Sequence, residues 1–178
     1  FSWRLFSADR LERERWGLKL GLNGFYSAET AGTNGACAYW PRSIQGVHAY
    51  SQIMPASRYF ATHPEWSSLV GGKRVPTDVD RNQLCVTAPG LAGEFAGNVI
   101  RAFDDDPGTP LVSIGPNDGW AWCECDACLA LDRRLCGGRT TRQGLARERP
   151  FMGDRVFWLA NEVADRVARK LPDKKLLV

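Results

Sequence analysis

From Gln83 to Val178 the chain alternates between short apolar runs and helical patterns, and this rhythm restricts the fold more than any other feature. Gln83-Leu84-Cys85-Val86-Thr87 reads as a strand. Residues 89–103 read as a helix, with Pro89 near the start, where a missing N–H costs nothing. Pro110-Leu111-Val112-Ser113-Ile114 reads as a buried strand closed by the turn signal Gly115-Pro116. Residues 126–135 read as a helix capped by Asp126. Residues 153–171 form the longest helical pattern, with Val156, Leu159, Ala160, Val163, Val167 and Leu171 at spacings of three and four. Leu176-Leu177-Val178 starts another strand. Such alternation predicts an α/β fold with parallel strands and crossover helices. A (β/α)8 barrel takes about 250 residues, so 178 residues supply only part of one. The chain starts at Phe1 rather than Met and stops inside an apolar run. The expectation is therefore a partial TIM barrel within a larger chain, ahead of a complete small doubly wound domain.

The first eighty residues are less regular. Residues 8–22 read as a helix with Ser7 as cap and Asn23-Gly24 as stop, although Gly17 and Gly21 weaken it. Residues 27–46 read as a loop, and Val47 to Ile53 as a strand or extended segment. Pro55 to Phe60 reads as a short helix that ends at His63-Pro64. Gly71-Gly72 between Leu69-Val70 and Lys73-Arg74 is a hairpin signal. Residues 137–150 read as a polar, basic loop.

Composition excludes some partners. The net charge is +3 with the basic residues scattered, and Arg133, Arg134, Arg139, Arg142, Arg147 and Arg149 follow no motif. They read as a solvated face, and no nucleic-acid partner is expected. No apolar run approaches the ~20 residues of a membrane span.

Several motifs recur in a fixed order: His48-Ala49-Tyr50; Pro55 through His63-Pro64-Glu65-Trp66; Gly72-Lys73-Arg74; Gln83-Leu84-Cys85; Ser113-Ile114-Gly115-Pro116-Asn117-Asp118-Gly119; Cys123-Glu124-Cys125-Asp126-Ala127-Cys128; and Gly153-Asp154-Arg155 leading to Asn161-Glu162-Val163-Ala164. Over nearly the whole chain this series resembles the bacterial family called domain of unknown function 4838. Part of that family is grouped as glycoside hydrolase family 163, endo-acting β-N-acetylglucosaminidases on N-glycans. The resemblance implies a catalytic TIM barrel, a glycan substrate, no cofactor and an extracytoplasmic location. Ala49 and Gly115 stand where the family commonly has Ser, and both are small enough to keep the backbone path.

The loop after Ile114 is then the candidate site, because ligands collect beyond the carboxyl ends of parallel strands. Glycoside hydrolysis generally uses two acidic groups. Asp118 and Glu124 are the candidate catalytic pair. Asp118 would orient or stabilise the acetamido group of an N-acetylhexosamine in substrate-assisted catalysis, with Glu124, or a residue outside these 178, as acid. His48, Tyr50, Asn117 and Trp120 are the candidate substrate-binding residues, since His donates hydrogen bonds and an indole stacks on sugar C–H faces. The plainer readings are an Asx-turn for Asp118, a first-turn helix residue for Glu124, a turn residue for Asn117 and core packing for a tryptophan. Two other functions stand beside the hydrolase: a carbohydrate-binding barrel without catalysis, and a cysteine-cluster metal-binding module.

Six cysteines lie at 37, 85, 123, 125, 128 and 136. Cys85, Cys123, Cys125 and Cys128 can form two disulfides, remain small buried thiols, or bind zinc through four thiolates. With no second C-x-x-C, the spacing favours disulfides, and no metal is expected. In each state the cluster would pin the Asp118 loop.

Overall fold

The structure, a computed structural model, describes residues 44, 48–77, 82–136, 140–141, 149–150 and 152–178. The helix expected over 8–22, and the loop expected over 27–46 apart from Ile44, lie outside the described residues.

The parallel pairing expected from the alternation is present. Strand β3 (Leu111–Ser113) pairs in parallel with β6 (Lys175–Leu177), with Val112 opposite Leu176. A parallel pair cannot be closed by a tight turn, so the chain must cross over between them. Helices α4 (Asp126–Cys136) and α5 (Met152–Ala168) lie in that connection. Helix α3 (Leu91–Asp105) precedes β3 and packs on α5 and on β3. Its buried face is Leu91, Phe95, Ala96, Val99, Ala102 and Phe103, a spacing that places all six on one side of a 3.6-residue turn. The facing stripe of α5 is Val156, Leu159, Ala160, Val163 and Val167. Val112 and Ile114 are buried in the same core cluster. Two further two-stranded sheets are described: the hairpin β1 (Leu69–Val70) and β2 (Lys73–Arg74), and the pair β4 (Thr140–Thr141) and β5 (Arg149–Pro150). The β1–β2 turn is made by Gly71 and Gly72 at φ +55° and +78°, the left-handed pair that a two-residue hairpin requires.

Three segments differ from the sequence expectation. Within 137–150, expected as a loop, the described residues form the antiparallel β4–β5 pair. Residues expected as extended over 47–53 contain a one-turn helix, α1 (Tyr50–Ile53), followed by α2 (Ala56–Tyr59). Tyr50, Ile53 and Met54 are all buried, which is helical spacing. Residues 83–87, expected as a strand, form only isolated bridges, Ser67 with Leu84 and, just before, Asn82 with Ala121. Their backbone groups find separate partners: Gln83 N–H donates to Ala121 O and Cys85 N–H to Trp66 O.

Helix α3 begins at Gly90, whose φ is +82°. An added Cβ there would meet Trp66 Cζ2 at 3.5 Å, an ordinary contact, so backbone strain decides the outcome. Gly90→Ala is expected to lower stability by about 1–2 kcal/mol. Urea unfolding measures it, and an unchanged midpoint would disprove the strain.

Candidate functional site

The segment Pro116–Trp122 leaves the carboxyl end of β3 and is held at its root by two buried amides. Asn117 is 4 % exposed and Gln83 is fully buried. Asn117 Oδ1 accepts from Ser51 N–H at 3.0 Å, and its Nδ2 donates to Asn82 O at 2.7 Å and Thr77 O at 3.5 Å. Gln83 Nε2 donates to Asn117 O at 2.6 Å and Gly119 O at 3.1 Å, while its Oε1 accepts from Asn117 N–H at 3.2 Å. Side-chain amides thus replace a ladder as the fastening for an irregular loop, which is how buried backbone polar groups stay paired without regular structure.

Beyond that root the loop opens. Asp118 is exposed, and Trp120 is 62 % exposed. His48, also exposed, has Nδ1 3.0 Å from Pro116 O, so its ring stands next to the same loop. Ala49 N–H donates to Gly115 O at 3.0 Å and fixes that neighbourhood.

The other predicted site residues have different surroundings. Tyr50 is 1 % exposed and packs edge-on against Phe95 with ring centroids 5.7 Å apart. Burial raises its phenol pKa, and its position is that of a core residue. Asn117 spends its amide on Ser51, Asn82 and Thr77, which makes it a fastening of the loop rather than an open sugar contact. Glu124 is exposed, but its Oε2 accepts from Gly71 N–H at 2.8 Å and its backbone N–H donates to Leu69 O at 2.7 Å, tying it to the hairpin. Trp66 is packed into the core, 8 % exposed, with His63 stacked on it at 3.9 Å.

The four cysteines converge. Cys85, Cys123, Cys125 and Cys128 are free thiols whose sulfurs all lie within 4.8 Å of one another. Cys85 Sγ is 3.6 Å from Cys125 Sγ and 3.8 Å from Cys128 Sγ. These separations are far beyond a disulfide bond of about 2.05 Å. The disulfides favoured from spacing are therefore absent from this set; the fourth sulfur comes from the 83–87 segment, which the fold brings over the C-x-C-x-x-C turn. Cys123 accepts from the Cys128 and Cys85 thiols and from Leu69 N–H, and this holds its pKa well below the usual thiol range. The shared hydrogen bonds with Cys123 push Cys85 up to about 11 and Cys128 higher still.

A further buried group supports the same turn. Arg155, on α5, is 1 % exposed. Its Nε donates to Asp132 Oδ1 at 2.8 Å, its Nη1 to Cys123 O at 2.9 Å, and its Nη2 to Cys128 O at 3.4 Å and to Asp132 Oδ2. The guanidinium therefore binds both the carboxylate of α4 and the carbonyls of the cysteine turn.

This ordered set, from the β3 loop through the cysteine turn to α5, lies inside a single family match. The model of the family described as Domain of unknown function (DUF4838) covers residues 4–178. The chain belongs to that family. No curated protein and no solved structure matches it. For this DUF4838 member, sequence reasoning missed Gln83, Arg155 and the outer contacts of the cysteines. The signals were present: Gln83-Leu84-Cys85 and Gly153-Asp154-Arg155 both belong to the motif series, and a polar residue inside an apolar pattern marks a buried hydrogen-bond centre. Among the described residues, no helix is long and apolar enough to cross a membrane.

Proposed function

We propose that this chain forms part of a carbohydrate-active (β/α)8 hydrolase, with β3 and β6 as barrel strands and the Asp118 loop at its mouth. The substrate class is a glycan containing N-acetylhexosamine, a choice supported by the grouping of part of the DUF4838 family, which the motif series resembles, as glycoside hydrolase family 163. One observation carries the reading: an exposed carboxylate and an exposed indole, Asp118 and Trp120, project from a loop whose root is fixed by buried amides. A rigid base under open functional groups suits catalysis, because about 1 Å of misplacement costs on the order of 10²-fold in rate. Asp118 orients the substrate acetamide as the acetamide oxygen attacks the anomeric carbon and the glycosidic C–O bond breaks. The leaving oxygen takes its proton from Glu124 or from an acid outside these 178 residues. Trp120 stacks on the sugar face, and His48 supplies a hydrogen bond. Glu124 already holds Gly71 N–H with one oxygen, so the reading rests on Asp118.

The intact protein should hydrolyse N-glycans or aryl β-N-acetylglucosaminides. Asp118→Asn is expected to lower kcat by at least about 10²-fold with the melting temperature unchanged, and Trp120→Ala to raise KM. Undiminished turnover by Asp118→Asn would remove that residue from the chemistry. Sugar binding without turnover of any such substrate would make the protein a binding module instead.

A further inference from the structure

We infer that Cys85, Cys123, Cys125 and Cys128 bind one zinc ion as a closed tetrathiolate site that fastens the hairpin and the Asp118 loop together. The geometry comes first. Four sulfurs at the zinc–sulfur distance of about 2.3 Å stand about 3.8 Å apart at the corners of a tetrahedron. The separations of 3.6 Å and 3.8 Å from Cys85 match that edge, and all four sulfurs fall within one small sphere. Three of the cysteines are buried and Cys125 is partly so.

The surroundings suit anionic sulfur. Leu69 N–H points at Cys123 Sγ at 3.3 Å, and Arg74 Nη1 is 3.8 Å from the same atom. Thr87 Oγ1 lies 3.2 Å from Cys128 Sγ, placed to donate to it. A zinc tetrathiolate carries two negative charges, and a guanidinium with N–H and O–H donors offsets part of that charge. Binding converts four thiols to thiolates: one zinc(II) enters, four protons leave, and no oxidant is needed. All four positions are filled by sulfur, leaving no open position for water, so the ion is structural rather than catalytic.

The ligands come from two separated stretches, residue 85 and residues 123–128, and the hairpin joins through Leu69 and Arg74. The ion would therefore join the start of α4, the segment before α3 and the β1–β2 hairpin. This inference does not depend on the hydrolase reading, because metal content is measured without any substrate.

The test is elemental analysis of the intact protein, purified without chelators from medium containing both zinc and iron. The expected result is about one zinc per chain, with X-ray absorption showing four sulfur neighbours at about 2.3 Å. Titration of the thiols with an organomercurial should release that zinc. Cys125→Ser, at the least buried ligand, should lose stoichiometric zinc. Bound iron in its place, zinc well below stoichiometry, a mapped disulfide between any two of the four, or undiminished zinc affinity in Cys125→Ser would each overturn the assignment.

Discussion

Arg155→Met is expected to destabilise the protein by about 3–5 kcal/mol, the cost of leaving a buried charge without its partner. The substitution keeps much of the side-chain volume but removes every donor. Asp132, whose side chain is 3 % exposed, would then hold a carboxylate in the interior with no counter-ion. Cys123 O and Cys128 O would also lose donors at 2.9 Å and 3.4 Å. Folded domains hold only about 5–15 kcal/mol in total, so this single change consumes a large part of the margin. Urea unfolding should show a lower midpoint at an unchanged slope. Arg155→Lys should lose less, because an ammonium keeps the charge yet cannot reproduce the forked contact with both oxygens of Asp132. Adding Asp132→Leu to Arg155→Met should recover part of the loss by removing the stranded carboxylate. A loss below about 1 kcal/mol for Arg155→Met would show that water reaches the pair, contrary to its burial.

Asn117→Ala is expected to cost about 2–4 kcal/mol, because it takes a side-chain partner from three main-chain groups at once. Ser51 N–H loses its acceptor, and Asn82 O and the buried Thr77 O lose donors at 2.7 Å and 3.5 Å. The near-isosteric Asn117→Asp is the sharper variant. It keeps an oxygen for Ser51 N–H but turns a second oxygen toward Asn82 O and Thr77 O, where a donor belongs. At neutral pH it should fall at least as far as the alanine variant despite its nearly identical shape. Both should also slow any reaction that depends on Asp118, since the adjoining backbone is then less constrained. Equal stability of wild type and Asn117→Asp would mean that the side chain is held otherwise than these distances imply.

Much of the fold was legible where one signal decided one element. The apolar stripe of α5, the Gly71-Gly72 turn and the Leu111–Ser113 run each appear close to where the sequence puts them. The failures share a cause. Residues 83–87 alternate like a strand, yet their backbone groups pair with Trp66, Ser68 and Ala121 one at a time, and alternation carries no information about partners. Tyr50, Ile53 and Met54 have the spacing of one helical turn, but four residues are too few for that period to be told from an extended alternation in the sequence.

The candidate site divides in the same way. Asp118 and Trp120 are on the open surface because the loop signal around Gly115-Pro116 and Gly119 is local. Asn117 looks identical in sequence whether it faces a sugar or a peptide N–H. Only the tertiary arrival of Ser51 and Asn82 assigns it to the loop root. The cysteines show the reverse case. The four residues could be named from the sequence, but without a second C-x-x-C the spacing favoured disulfides, and only the fold shows Cys85 brought within 4.8 Å of the other three sulfurs.

The hairpin has one further consequence. Outward-facing N–H and C=O groups on a short strand invite pairing with another molecule. On β1 these groups belong to Leu69, and both are taken: the N–H by Cys123 Sγ and the C=O by Glu124 N–H. The neighbouring Gly71 N–H is taken by Glu124 Oε2. The residues that serve the cysteine turn thereby also guard against self-association, and a chain whose cysteine turn is loosened should lose solubility through this border before its helices melt.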